Sequence, residues 1–136
     1  MNYKLNFQCS RDQLGHVRTF LNDVLSKHLI PDKEKNEMVL AIDEVCANLI
    51  IHSHNCDPDE SIVLKVNVEE NKGITFEIED HGDGFNIKDY KEPSINEIVT
   101  QRRKGGMGLM LVRRIMDNVE LINDQGKNTY RLFKKI

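Results

Sequence analysis

From Met38 to Ile51 the chain is apolar at every position except Asp43, Glu44 and Asn48. A helix with that composition has no wide polar face to offer water, so it must be packed on most of its sides. Glu44 and Asn48 break the run at i and i+4, and His52 follows at i+8, so the three project on roughly the same side. A lone buried carboxylate costs on the order of several kcal/mol unless it is paired, hydrogen-bonded or left facing a solvent-filled cleft. A polar stripe facing a ligand cavity meets that condition. So does a solvent-facing stripe on an ordinary amphipathic helix, and the stripe alone does not decide between them. Asp43 lies on a neighbouring face and is expected to be solvated.

The rest of the chain supplies the layer against which such a helix packs. Tyr3, Leu5, Phe7 and Cys9 alternate with polar residues as a half-buried strand does. Ser10 and Gln13 have the form of a capping box, and Leu14, Val17, Leu21, Val24 and Leu25 fall on one face of a first helix ending near Lys27. Pro31 closes the connection, and Asp32 is placed to cap the long helix, which runs to about Ser53. Ile62, Leu64, Val66 and Val68 alternate as a second strand. Ile74, Phe76 and Ile78 form a third, joined to it as a hairpin through Asn71 and Gly73. Residues 86–104 show no sustained period, the mark of a functional or mobile loop. A third helix is expected from Gly108 to about Asn118, then a closing hairpin of residues 119–123 and 129–133.

The order β-α-α-β-β-loop-α-β-β, with most strands joined by short turns, predicts an α+β fold. It reads as a two-layer sandwich with a mixed, mainly antiparallel sheet and helices on one face. Few strand-helix-strand crossovers are available, so a doubly wound sheet is not expected. A length of 136 residues suits a single domain over 1–136. A net charge of -3 argues against nucleic acid as the main ligand, because phosphate backbones demand a basic excess. Cys9, Cys46 and Cys56 are widely spaced and odd in number, which suits a reduced, cytoplasmic setting. The N-terminal residues lack the apolar stretch of a signal peptide, and no run approaches the ~20 residues needed to span a bilayer. No membrane association is expected.

Two glycine clusters accompany the stripe. Asp80, at the end of the third strand, is followed by Gly82 and Gly84, an acidic side chain beside backbone that a flat ligand can approach closely. Asp and Gly also favour ordinary strand-ending turns. Gly105, Gly106, Met107, Gly108 and Leu109 stand where the long loop meets the third helix. Glycines that expose free amides at a helix N-terminus offer a phosphate site, and Arg102, Arg103 and Lys104 add positive charge. No Gly-Lys-Ser/Thr follows, so this is not a Walker A loop, nor does it have the βαβ context of a dinucleotide fingerprint.

Taken in order, Glu44-x-x-x-Asn48, Asp80-x-Gly82-x-Gly84 and Gly106-x-Gly108 resemble the N box and glycine boxes of the gyrase, heat-shock chaperone, histidine-kinase and mismatch-repair (GHKL) ATPases. More closely, the run from Ala41 to His52, the Asp80 turn and the run from Gly106 through Asp117 resemble the anti-sigma-factor serine/threonine-protein kinases. Nearly the whole chain takes part. The resemblance implies a Bergerat-type ATP-binding fold with ATP and Mg²⁺ as cofactors. Asp80 would accept a hydrogen bond from the adenine amine, and Gly82 and Gly84 would shape the adenine floor. Asn48 would ligate Mg²⁺, a hard cation that takes oxygen donors. The segment Gly105, Gly106, Met107, Gly108 and Leu109 would hold the phosphates, with Lys104 or Arg103 adding charge. Glu44 would act as general base toward a substrate serine or threonine. His52 would stand near Glu44 or the phosphates.

The same resemblance implies an anti-sigma-factor antagonist as substrate protein, a sigma factor as competing partner, and a homodimer. A nucleotide-gated binding module without phosphate transfer is the alternative. A histidine kinase would need a phosphoacceptor histidine on a dimerising hairpin; His16 and His28 lack its acidic and proline context. His52-x-His54-x-Cys56 is a weaker metal pattern, since i, i+2 and i+4 do not converge on a helix.

Overall fold

The computed structural model describes residues 1–52, 61–80, 104–124 and 127–136. Alternation becomes strand wherever the sequence sets it: β1 is Asn2–Gln8, β2 Ser61–Glu69, β3 Gly73–Asp80, β4 Asn118–Asp124 and β5 Lys127–Lys135. Among the described residues the α-helices are α1, Leu14–Lys27, α2, Asp32–His52, and α3, Lys104–Ile115. The strands form one sheet in the order β1-β2-β3-β5-β4. Every pairing in it is antiparallel, so the expected mixed sheet is antiparallel throughout these strands. The fold is α+β, as the order of elements predicts.

One face of the sheet makes the core. Ile62, Leu64, Val66 and Val68 from β2, Ile74, Phe76 and Ile78 from β3, and Tyr130 and Leu132 from β5 are all buried. They share a single apolar cluster with Val17, Leu21, Val24 and Leu25 of α1, and with Met38, Ala41, Ile42, Val45, Cys46 and Leu49 of α2. The opposite face carries Lys65, Glu77, Glu79, Lys127 and Arg131. Lys65 and Lys127 close on Glu79 at 2.8 and 3.3 Å, and Arg131 on Glu77 at 3.2 Å. Burial pushes the Glu79 carboxyl up, but hydrogen bonds from Lys65 and Lys127 outweigh it and hold the group below its ordinary range.

Local chemistry departs from expectation at three helix ends. Ser10 forms no side-chain cap; a 3-10 turn, Arg11–Gln13, leads into α1, and the Ser10 hydroxyl bonds Asp12 instead. Asp32 is the first residue of α2 rather than its cap, and Lys35 donates to the Pro31 carbonyl. Its negative charge still suits the positive end of the helix. The helix α3 begins at Lys104, four residues before the expected start, and ends at Ile115. Glycines discourage helix but do not forbid it once flanking packing supplies the stability.

The helix α1 ends at Lys27 as expected, but the way it closes was not foreseen. Ile30 donates to the Leu25 carbonyl and Leu29 to that of Ser26. That is a Schellman closure, with the left-handed position filled by Leu29 (φ 55°) where glycine is usual. Leu25 and Ile30, its apolar clasp, are both buried. His28, the cap residue, meets the Tyr3 hydroxyl at 2.7 Å and lies 3.6 Å from the Glu70 carboxylate, tying the helix to β1 and to the end of β2. Asn71 (φ 64°) turns the β2–β3 hairpin as expected.

Candidate functional site

The long helix places the first two candidate residues. Packing of α2 between α1, α3 and the sheet leaves Asn48 only 4% exposed, while Glu44 is half-buried one turn earlier. The Asn48 amide nitrogen donates to the Glu44 main-chain carbonyl at 2.7 Å. Only an NH₂ group can sit that close to a carbonyl, so the contact fixes the amide's orientation and turns its oxygen away from the helix backbone. The oxygen is left as the amide's acceptor, the donor type that a hard cation such as Mg²⁺ takes.

Glu44 is tuned by its surroundings. Partial burial pushes its carboxyl above the ordinary range, and the negative charge of adjacent Asp43 adds to the rise. Asp43 is also raised by burial, against the pull of Arg18 on α1, whose guanidinium lies 3.0 Å away. Asp43 is therefore an anchor between α1 and α2, not a merely solvated neighbour. Cys46 is a fully buried free thiol whose ionisation burial pushes far up, in keeping with a structural role.

Asp80 closes β3 and is 6% exposed, with its side chain on the core-facing side, in line with Phe76 and Ile78. Directly opposite it on β5 stands Asn128, 3% exposed. Asn48, Asp80 and Asn128 are the buried polar residues of the described chain, and they come from α2, β3 and β5. Asn128 did not emerge from the sequence. The available signal was its position two residues before Tyr130 and four before Leu132, the inward side of β5 by simple alternation.

The remaining candidates divide by what is described. Gly82 and Gly84 lie outside the described residues, as do Arg103, His54 and Cys56. The main chain of Lys104, Gly105, Gly106, Met107, Gly108 and Leu109 is helical. The amides of Lys104, Gly105 and Gly106 thus fall among the first of the helix, which have no intrahelical acceptor and can meet an anion. The side chains of this run and of His52, at the last turn of α2, are outside the described set. Among the described residues no three His, Cys, Asp or Glu side chains converge as a metal cluster. Nor is any helix there long and apolar enough to cross a membrane.

Residues 7–134 match the model of the histidine kinase-like ATPase domain. An anti-sigma F factor of Clostridium perfringens (strain SM101 / Type A) is 24% identical over 133 residues, covering 97% of this chain and 94% of the relative. The serine-protein kinase RsbW of Bacillus subtilis (strain 168) is 27% identical over 120 residues, covering 85% and 74%. Among solved structures, the RsbU and RsbW domains of Rv1364c from Mycobacterium tuberculosis superpose with a TM-score of 0.72 at 15% identity, over 98% of this chain and 32% of that one. A chain of the SiaB–SiaC complex from Pseudomonas aeruginosa gives 0.64 at 15% identity, over 98% and 89%. These last two likenesses speak to the fold alone. With the family model spanning all but the ends of the sequence, the chain belongs to the histidine kinase-like ATPase domain family.

Proposed function

We propose that this protein is an ATP- and Mg²⁺-dependent serine/threonine protein kinase that phosphorylates a small anti-sigma-factor antagonist and binds a sigma factor in competition with it. The reading places it in the cytoplasm as a homodimer. The observation that carries the proposal is the pairing on α2 of a half-buried Glu44, its carboxyl raised by burial and by Asp43, with a buried Asn48 whose amide nitrogen is committed to the Glu44 main-chain carbonyl, leaving the amide oxygen as the acceptor. The names of the relatives, an anti-sigma F factor and serine-protein kinases, support the choice of partners and acceptor.

In this reading Glu44 accepts the proton of the substrate hydroxyl, and its raised affinity for protons makes it a better base than an ordinary surface carboxylate. Asp80 accepts from the exocyclic amine of adenine. Asn48 holds Mg²⁺, which when bound supplies charge neutralisation at the phosphates. The amides at the start of α3, with Lys104, receive the phosphate oxygens. Gly82, Gly84, Met107, Gly108 and Leu109 line the pocket, and His52 closes it near Glu44. Phosphoryl transfer asks chiefly for positioning and charge stabilisation, so few groups suffice.

The test is incubation of the purified chain with γ-labelled ATP, Mg²⁺ and a candidate antagonist. Label on an antagonist serine or threonine supports the kinase. Nucleotide-dependent antagonist or sigma-factor binding without label would instead establish the nucleotide-gated binding module and remove the catalytic role of Glu44.

A further inference from the structure

The cysteines do not behave as the reduced set that their spacing suggests. Cys9 is buried and disulfide-bonded, whereas Cys46, fully buried on α2, is a free thiol. The sequence holds three cysteines, so with Cys46 set aside the sulfur of this chain left to Cys9 is that of Cys56. The strand register agrees with that pairing. Gln8, the last residue of β1, stands directly opposite Ser61, the first residue of β2. Cys9 follows Gln8, and so sits beside the point where the connection from His52 of α2 enters the sheet. Cys56 belongs to that connection, residues 53–60. The Cα separation of about 4.4–6.8 Å that a disulfide asks is therefore compatible with β1 and β2 as they stand.

We infer that Cys9 and Cys56 form a reversible cross-link, a thiol-modification site through which the redox state of the surroundings acts on the helical layer. The bond encloses residues 9–56 in one covalent ring that contains both α1 and α2. It forms by thiol–disulfide exchange. One cysteine attacks a low-molecular-weight disulfide and releases a small thiol; the second cysteine then attacks the mixed disulfide and releases the other. Two electrons and the two S–H protons pass from the cysteines to the small disulfide, which leaves as two thiols. In a reducing compartment a bond of this kind is conditional rather than a permanent staple. Once formed it removes open conformations of the chain and ties the C-terminal side of α2, with Asn48 and His52, to the end of β1. Cys46 takes no part, because burial among apolar residues keeps its thiol protonated and out of reach. The inference stands apart from the kinase reading, since it concerns the sulfurs of this chain alone.

The experiment equilibrates the full chain with mixtures of reduced and oxidised glutathione, quenches in acid and counts thiols in denaturant. One thiol, that of Cys46, is expected on the oxidising side and three on the reducing side. A peptide mass map without reductant should join the Cys9 peptide to the Cys56 peptide. The oxidised chain should melt higher by about 10 °C, and Cys56→Ser should melt alike in both mixtures. Three thiols at every glutathione ratio would overturn the bond, and one thiol at every ratio its reversibility. A Cys9 link to Cys46, or to a second chain on a gel without reductant, would overturn the pairing. Equal melting temperatures for the oxidised and reduced chains would overturn the effect on the helical layer.

Discussion

The Asn48 side chain donates to the Glu44 carbonyl 2.7 Å away, so the proposed metal ligand and the proposed base are joined through the backbone of one helical turn. Asn48→Asp is therefore not a conservative change. It replaces the donor with a second acceptor facing a carbonyl, and one buried polar contact turns repulsive. A loss of about 1–3 kcal/mol of stability is expected, along with weaker Mg²⁺-dependent nucleotide binding despite the added charge. Thermal melts and Mg²⁺ titrations of nucleotide affinity check both. Asn48→Ala should impair binding with a smaller stability loss, because the Glu44 carbonyl keeps its main-chain partner.

Glu44→Gln should bind ATP like wild type and lose phosphate transfer by roughly 10²–10⁴-fold, the usual weight of a general base. Its stability should move the other way. Glu44 takes up its proton more readily folded than unfolded, so ionising it costs the native state stability as pH rises from the unfolded toward the folded value. The variant should match wild type in acid, where both side chains are neutral, and exceed it slightly above that window. The gain should stay under about 0.5 kcal/mol at so accessible a site. Melting temperatures across an acid-to-neutral pH series would show the divergence, and parallel curves would refute its cause.

Glu79 has the opposite sign. Its carboxyl is held low by Lys65 and Lys127 against the effect of burial, so its contribution is present above the unfolded value and fades as pH falls through the folded one. Glu79→Gln should lower stability at neutral pH, and the deficit should vanish in acid. Because Lys65 and Lys127 are each partly exposed, the effect is expected to be about 1 kcal/mol or less. Urea melts at two pH values suffice.

Leu29→Gly should stabilise the protein. Leu29 occupies a left-handed conformation at 90% exposure, so its side chain contributes little packing. An L side chain there costs about 1–2 kcal/mol, against about 0.5–1 kcal/mol for the added freedom of glycine in the unfolded chain. A net gain of about 0.5–1 kcal/mol by chemical denaturation is the expected outcome.

Gly73→Ala should destabilise. A methyl group built there would run into the tip of the Phe133 ring, which covers the glycine from the neighbouring strand. The ring must swing away, with an expected loss of about 1–3 kcal/mol. Phe133→Ala in the same background should recover part of it if ring contact is the cause, which a double-mutant cycle measures.

The sequence carried the strands because one-sided burial writes itself as alternation: Ile62 to Val68 and Ile74 to Ile78 face the core as their period requires. It carried the polar stripe of α2 because Glu44 and Asn48 contradict their apolar surroundings. Other features left weaker traces. The start of α3 was hidden by Gly105, Gly106 and Gly108, whose low helix propensity is outweighed by packing. Leu29 bears no mark of its left-handed turn, since leucine is chosen for that conformation by neither sterics nor habit. Ser10 offered a cap that its neighbour Asp12 took instead. Asn128 was missed because one polar residue near a strand end reads as a turn; only the register beside Asp80 gives it meaning.

The strand order has a kinetic side. Strands β2 and β3, and likewise β4 and β5, are chain neighbours that close over short distances. The joint between β3 and β5 brings together Gly73 and Lys135, and Asp80 and Asn128, partners far apart along the chain. Closing such distances is the slow, entropically costly part of assembling a sheet. The base end of the proposed site straddles that joint. A chain with both hairpins formed but not yet docked would have most of its secondary structure and no place to recognise a nucleobase, so competence to bind should arrive with the last step of folding.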